Sequence, residues 1–584
     1  MTTESTTTPQ PGKDDAPTPV LPSQRAGEEV PSPVEPAVTS PPRRRLRRLP
    51  RYTWSGTLGA LLLGLSSFTP SLLPRGWLIQ GIIAGITAAI GYGLGVTVAW
   101  FVRAVTDRRP SDGLRRRAWH VLAVAGPVLT VVMLVLGQRW QREIHLLMGI
   151  EPEAGYTYLG CGIVTVLVFA LFVAIGRGVR WIARAATRLF GRILPNKLAR
   201  PLAVAIAAVL VVVVVNGVLF QGLVEAVNSA FSVKDSGTEE GAVRPTASER
   251  SGSPDSLVPW EDLGLQGRNF VGKGPTPDEL RDFNGRRAQE PVRVYTGLAS
   301  SDSVGDRAAL AVRDLERAGG FDRKVLAVVT TTGTGWVDPA ASDSLEYEFN
   351  GDTAMVAMQY SYLPSWMSFL VDQAKARDAG RALFDAVYGA WAQLPLDRRP
   401  QLYVFGESLG TFGGEAAFSG LADIQNRTDG VLWAGPPNFN ALWRAAVADR
   451  DPGSPEWRPV YQGGRVVRFA DSAPDLDQPP GSWGQPRVAY LQNASDPIVW
   501  WSPNLLLGHP DWLRGERGPD VSPSMFWIPF VTFWQVTADL VFAVGVPDGH
   551  GHKYEADYVN GWAHVAQPPD WTAADTERLR DLIG

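Results

Sequence analysis

The sequence predicts a helical membrane domain of about five spans followed by a mostly parallel, doubly wound α/β domain. Three observations carry this expectation. Five apolar runs lie between Trp54 and Val224, each close to the ~20 residues that a helix needs to cross a bilayer. From Val292 onward, short apolar strands alternate with amphipathic helices, the pattern of a parallel sheet covered on both faces. Within that alternation, Leu402-Tyr403-Val404-Phe405 leads into Gly406-Glu407-Ser408-Leu409-Gly410, and Thr411 to Phe418 reads as a following helix. A G-x-S-x-G pattern between strand and helix is the context of a strained turn that holds a serine at its apex.

The chain has 584 residues, too many for one compact domain. Residues 1–42 are rich in Pro, Thr, Ser and Glu and nearly free of large apolar groups. Such a stretch cannot bury enough surface to offset its ordering entropy, so residues 1–50 are expected to form a disordered tail without a removable signal peptide. The tail ends in Arg43-Arg44-Arg45-Leu46-Arg47-Arg48, directly ahead of the first apolar run, as basic clusters do on the cytoplasmic side of a membrane.

The membrane domain is expected over residues 51–224, with runs at 54–73, 77–102, 118–137, 157–176 and 201–224. Arg103, Arg108, Arg109 and Arg115 to Arg117 crowd the second connection, and Arg177, Arg180, Arg184, Arg188, Arg192, Lys197 and Arg200 the fourth. The other two connections carry few basic residues. With the basic loops inside, alternation places the N-terminus in the cytoplasm and everything after the fifth run outside the cell membrane. Trp181 to Leu194 is amphipathic and reads equally as a helix on the inner leaflet or as an extension of the fourth span. The net charge of −4 conceals this split between a basic N-terminal half and an acidic C-terminal half. Cys161 is the one cysteine, which excludes an intrachain disulfide and a cysteine-based metal site.

Residues 225–290 are expected as a linker and transitional segment: 232–258 is polar and rich in Ser, Gly, Glu and Pro. Gly272-x-Gly274 completes no phosphate-binding fingerprint and reads as a loop. In the α/β domain, residues 291–584, strands are expected at Val292 to Leu298, Lys324 to Thr330, Ala354 to Ser361, the stretch before Ser408, Gly430 to Gly435 and Val488 to Gln492. The helix expected over Ala374 to Leu394 aligns Leu383, Phe384, Val387, Tyr388, Trp391 and Leu394 on one side.

A serine hydroxyl needs a base to accept its proton and a third group to orient that base. Ser408 is the expected nucleophile. Asp496 follows the strand that ends at Gln492, where a carboxylate can reach a site at the strands' carboxyl ends. Asp471, after Val466 to Ala470, is the reserve candidate. His550 and His552 share the loop Asp548-Gly549-His550-Gly551-His552. One of them is the expected base; His552 is preferred as the nearer to a following helix, and the choice stays open at this level. Oxyanion donors are expected from the backbone of Leu409 and of the glycine-rich loop containing Gly333, Thr334 and Gly335. No third ligand at suitable spacing joins the histidine pair, so neither metal nor cofactor is expected. Trp500, Trp501, Trp512, Phe526, Trp527, Phe530, Phe533 and Trp534 form an aromatic stretch that reads as core packing or as a wall for an apolar acyl chain.

Four strings, Thr332-Gly333-Thr334-Gly335-Trp336-Val337-Asp338, Gln359-Tyr360-Ser361-Tyr362-Leu363-Pro364-Ser365-Trp366, Gly406-Glu407-Ser408-Leu409-Gly410 and Gly549-His550-Gly551-His552, resemble those of a bacterial α/β-hydrolase family common in actinobacteria. Its members carry an N-terminal multi-span membrane domain, and the resemblance covers roughly residues 51–584. It implies an α/β-hydrolase fold and serine-hydrolase chemistry, without fixing a substrate. The expectation is therefore a membrane-anchored serine hydrolase that cleaves a carboxylic or lipid ester through an acyl-enzyme on the extracytoplasmic side. Its expected partners are membrane lipids and a small-molecule or lipid ester, with no nucleic acid. An acyltransferase using the same triad and a non-enzymatic membrane scaffold or transport-associated binding module are the rivals. Against transport, the spans show no mid-membrane ionisable residue and no internal repeat.

Overall fold

The computed structural model describes residues 52–107, 110–151, 158–192 and 195–584. The expected disordered tail and its arginine cluster lie outside the described residues. The N-terminal helical region opens with α1 (Trp54–Ser66), α2 (Trp77–Thr106), α3 (Asp112–Leu147) and α4 (Tyr158–Phe190). A fifth helix, α5 (Asn196–Val212), passes through a π-helical stretch at Val213–Phe220 into α6 (Gln221–Asp235). Three of these helices, α2, α3 and α4, are long and apolar enough to cross a membrane.

The five apolar runs thus map onto three helices of spanning length, a short first helix and a segmented last one. The first has 13 residues, ~20 Å at 1.5 Å per residue, because the chain leaves the helix at Ser67 and runs irregularly to α2. Helix α4 continues through Trp181 to Phe190, so that amphipathic segment extends the fourth helix. Helices α1 and α2 touch backbone to backbone: a Cβ at Gly59 would sit on the Gly91 carbonyl, and one at Gly91 on the Gly59 carbonyl. In lipid, where burial of apolar side chains adds little, such small-residue contacts bring helices together.

The α/β domain is built on seven parallel strands: β1 (Val292–Thr296), β2 (Val325–Thr330), β3 (Thr353–Met358), β4 (Gln401–Glu407), β5 (Gly430–Ala434), β6 (Val467–Ala470) and β7 (Arg487–Leu491). Their order is β1-β3-β2-β4-β5-β7-β6. Alternate residues serve two cores. Val325, Ala327, Val329, Tyr403 and Phe405 face the helices Pro339–Glu348 and Glu555–Ala566. Leu326, Val328, Leu402 and Val404 face the helices Val304–Arg317 and Gln373–Gln393. Strand order reverses direction at β2, between β3 and β4, and crevices at such a switch point collect ligands at the carboxyl ends of the strands. Register sets Thr330 beside Gly406 and Glu407 beside Ala434, so β2, β4 and β5 end together.

The stretch expected as a linker is packed. Ser251 N donates to Arg293 O (3.0 Å) and Arg293 N donates to Glu249 O (3.1 Å), which covers the free edge of β1. Helices Gly264–Gly272 and Pro277–Asn284 follow. An open strand edge invites unwanted pairing, and this polar segment closes it.

The N-terminal helices and the α/β domain share a core. Leu72 and Leu73, from the α1–α2 connection, and Ile144 and Met148, from the end of α3, are buried among the apolar residues of the sheet's helices. Ser71 Oγ and Leu72 N (3.2 Å) donate to the Asp539 carboxylate, at the end of the helix Val531–Asp539. Gln535, on the same helix, donates to Thr69 O (2.9 Å).

Candidate active site

Strand β4 ends at Glu407, and Ser408 turns the chain into the helix Leu409–Glu415. Ser408 has φ 53° and ψ −127°, a conformation that costs a non-glycine residue ~1–3 kcal/mol. The surroundings impose it. Ser408 N donates to Ala434 O on β5 (2.9 Å), and Thr330 Oγ1 donates across the turn to Gly410 O (2.7 Å). A Cβ at Gly410 would overlap the Thr330 carbonyl, so the helix reaches the sheet this closely only with glycine there. The residue Leu409 opens the helix, and its N–H has no acceptor among the described residues.

Asp496 and His552 are together. His552 Nδ1 lies 2.6 Å from Asp496 Oδ2, with both side chains buried. Asp496 Oδ2 also accepts from the Tyr554 hydroxyl (2.6 Å), and Oδ1 accepts from Ile498 N (2.8 Å). An ionised carboxylate can only accept, which fixes neutral His552 as the Nδ1–H tautomer and leaves Nε2 as the basic nitrogen. That nitrogen is buried and has no hydrogen-bond partner among the described residues. His552 reaches the nucleophile's neighbourhood through β5: the residue after Ala434 is Gly435, and a Cβ there would collide with the His552 ring. The loop is held from both sides. Asn493 Nδ2 donates to Gly551 O (2.9 Å), Ser495 Oγ accepts from Gly551 N (2.8 Å), and His552 N donates to Ala543 O (2.7 Å).

His550 points elsewhere. Its Nδ1 is 3.0 Å from Asp520 Oδ2, and the ring lines a cavity of about 350 Å³ with Asp471, Asp548, Asp557 and Arg580. Asp471 belongs to the same cavity, accepts from Ala494 N (2.6 Å), and is raised by burial and by Asp520. The alternative base and the reserve carboxylate thus sit together, away from the Asp496–His552 pair. The reason is local: Gly549 and Gly551 both have positive φ, so successive loop residues face opposite directions.

The glycine-rich loop after β2 holds the other expected donors. Gly335 is excluded, because its N–H donates to Thr332 O (2.9 Å) and its carbonyl accepts from the Tyr295 hydroxyl (2.7 Å). The N–H groups of Gly333 and Thr334 have no acceptor among the described residues. A Cβ at Gly333 would meet Leu363 O and Ser368 Oγ, both 2.6 Å away.

Two carboxylates escaped sequence reasoning. Glu407, immediately before the serine, places Oε1 3.8 Å from His552 Nε2. Burial raises its pKa, although the His552 charge opposes this. Asp338 lies near enough that burial and Glu407 raise it well above the usual range. Burial alone would lower the His552 pKa, but Asp496, Glu407 and Asp338 outweigh it and hold the imidazole above an ordinary histidine. Tyr554 was missed as well, though its place two residues beyond His552 was visible.

Comparison with known families agrees with this architecture. A model described as an α/β-hydrolase family matches residues 292–579, and one described as an α/β-hydrolase family N-terminus matches residues 68–275. No curated protein and no solved structure matches the chain.

Proposed function

The chain belongs to the α/β-hydrolase family, and from that premise we propose that it is a serine hydrolase cleaving carboxylic or lipid esters through an acyl-enzyme. The observation that carries the reading is the buried 2.6 Å contact between Asp496 and His552, which leaves Nε2 without a hydrogen-bond partner among the described residues and 3.8 Å from the carboxylate of Glu407, the residue before Ser408. In the first step Ser408 Oγ bonds to the ester carbonyl carbon and its proton passes to His552 Nε2. The carbonyl oxygen becomes an oxyanion, for which the N–H groups of Leu409 and of Gly333 or Thr334 stand unpaired. The C–O bond to the alcohol then breaks, and His552 returns the proton to the leaving alkoxide. Water enters, gives a proton to Nε2 and attacks the acyl carbon. Collapse of that intermediate releases the acid and restores Ser408. Asp496 holds the imidazole in place and stabilises the imidazolium at each step.

The domain is proposed to work on the extracytoplasmic face, with five membrane passes. Support comes from the connections. The arginine-poor α1–α2 connection and the end of α3 pack into the α/β domain, whereas the arginine-rich ends of α2 and α4 lie a helix length away, ~45 Å for the 30 residues of α2. An odd number of passes from a cytoplasmic N-terminus agrees with this arrangement, with the α1–α2 connection following the first pass and the end of α3 following the third.

Labelling of membranes containing the full chain with a fluorophosphonate tests the chemistry. Wild type is expected to label and Ser408→Ala is not, at equal thermal stability. Absence of label on the wild type, or persistence of label on Ser408→Ala, overturns the assignment of the nucleophile.

A further inference from the structure

A small apolar cluster of Phe369, Ile498, Leu540 and Ala543 adjoins the larger core of the sheet, with Phe439 and Trp501 packed against both. Every segment of the candidate site borders it. Ile498 is two residues from Asp496. Ala543 holds the backbone of His552 through its carbonyl. Phe369 lies on the helix Ser365–Val371, whose Ser368 abuts Gly333. Phe412, one turn beyond Ser408, stacks edge-on against Phe439 with ring centroids 4.9 Å apart, and Phe439 in turn meets Phe369 at 5.0 Å. Apolar side chains from five separate loops and helices therefore pack together next to the segments that carry the site.

The outer side of this cluster is exposed and apolar. Trp366 and Leu370 project from the helix beneath Phe369 and are 40% and 44% exposed, while Val541, Phe542 and Val544 flank Leu540 and Ala543 at 55%, 42% and 65%. Exposed apolar patches of this kind mark interaction surfaces. The segment Val531–Phe542 is an apolar helix too short to cross a bilayer, and it packs on α2. At that end of α2, Trp77 and Leu78 are exposed by 41% and 48%. One side of the apolar rim thus belongs to the segment that packs on a helix of membrane-spanning length and apolarity, which argues for one occupant, the acyl region of the adjoining leaflet.

We infer that the rim formed by Trp366, Leu370, Val541, Phe542 and Val544 dips into the leaflet and passes a long acyl chain sideways from the bilayer, along Phe369, Ile498 and Phe439, to Ser408. This rests on the hydrolase reading and narrows its substrates to long-chain esters that reside in the membrane. Head groups remain on the aqueous side and the acyl carbonyl arrives from below.

The test uses the full chain in phosphatidylcholine nanodiscs with two esters of one leaving group, 4-methylumbelliferyl oleate dissolved in the bilayer and 4-methylumbelliferyl butyrate in water. In Trp366→Asp and Phe542→Asp, the ratio of kcat/KM for oleate to that for butyrate is expected to fall by about 10-fold or more, since each variant puts a charge where the chain must slide. An unchanged ratio, whether both rates hold or both drop together, overturns the inference. A second arm needs no turnover. Phe542→Cys in a Cys161→Ala background, labelled with bimane, is expected to be quenched by lipids carrying a doxyl group on the acyl chain. Quenching no greater than that of a label at exposed Leu396, on the helix turn far from the rim in sequence, overturns the membrane contact. If the wild type turns over neither ester and takes no fluorophosphonate, the hydrolase reading fails, and the quenching arm still decides the surface.

Discussion

Replacing Asp496 by Asn offers a sharp test of the triad geometry, because the structure constrains what an amide can do there. All three bonds to the carboxylate are acceptor bonds: Ile498 N on Oδ1, and His552 Nδ1 and the Tyr554 hydroxyl on Oδ2. An Asn side chain has one oxygen. If it keeps Ile498 N, the amide NH₂ faces His552 Nδ1 and drives the proton to Nε2, the atom that must accept it from Ser408. If the amide flips, Ile498 N is orphaned in a fully buried position, at a cost of ~1–3 kcal/mol. The first arrangement is cheaper, so the wrong tautomer prevails. The expected loss is about 10⁴ in kcat, ~5 kcal/mol in the barrier. Tyr554→Phe removes one bond to Asp496 but keeps the tautomer, and should cost less than about 10-fold. The assay is butyrate-ester turnover by the purified full chain, with thermal unfolding measured beside it. An Asp496→Asn enzyme that folds and retains more than about a tenth of wild-type kcat refutes the assignment of Asp496 as the orienting carboxylate.

Further tests address the other groups of the site. His552→Ala should lower turnover by about 10³ to 10⁶, and His550→Ala by about 10-fold or less; the reverse order would move the base to the Asp520 cavity. Because neutral His552 is the active form, activity should rise with pH through its elevated pKa; Glu407→Gln removes a carboxylate 3.8 Å from Nε2, so the acidic limb of the rate profile should move to lower pH, and an upward move would refute the electrostatic role given to Glu407. Glu415, buried at the end of the helix that follows Ser408, is pushed by burial from 4.5 up to about 7 despite bonds from Asn440, Leu442 and Tyr490. The folded state holds its proton more tightly, so the stability it contributes is present below about 4.5 and lost as pH rises through about 7, a change of ~3 kcal/mol. Unfolding curves of Glu415→Gln against wild type should therefore diverge in the variant's favour between pH 5 and 8, and parallel curves would contradict the assigned environment.

The turn at Ser408 was legible in the sequence because it is local: an apolar strand, two glycines and a helix suffice to define it. Asp496 was legible for a related reason, since a carboxylate just past a strand end has one side of the sheet available. The choice between His550 and His552 was not, because loop residues with positive φ on either side decide which ring faces inward, and periodicity has no hold on such a loop. Glu407 reads as an arbitrary residue inside the motif, and its nearness to His552 depends on packing between residues 145 positions apart in the chain. Apolar content located the N-terminal helices, three of them long and apolar enough to cross a membrane, but hydropathy does not distinguish a lipid-facing leucine from one buried in a neighbouring domain. Leu72 and Leu73 therefore counted towards a first span, although they pack into the α/β core.

That packing has a bearing on how the molecule comes into being. Leu73 lies beside Gly551, and the helix that receives Ser71, Leu72 and Thr69 continues to Ala543, which anchors His552. On the membrane-anchored hydrolase reading proposed above, a newly made chain whose first hairpin has not entered the bilayer lacks the surface on which this anchor rests. Competence would then be acquired upon insertion, and a copy stranded in the cytosol during synthesis would stay inert towards the esters around it.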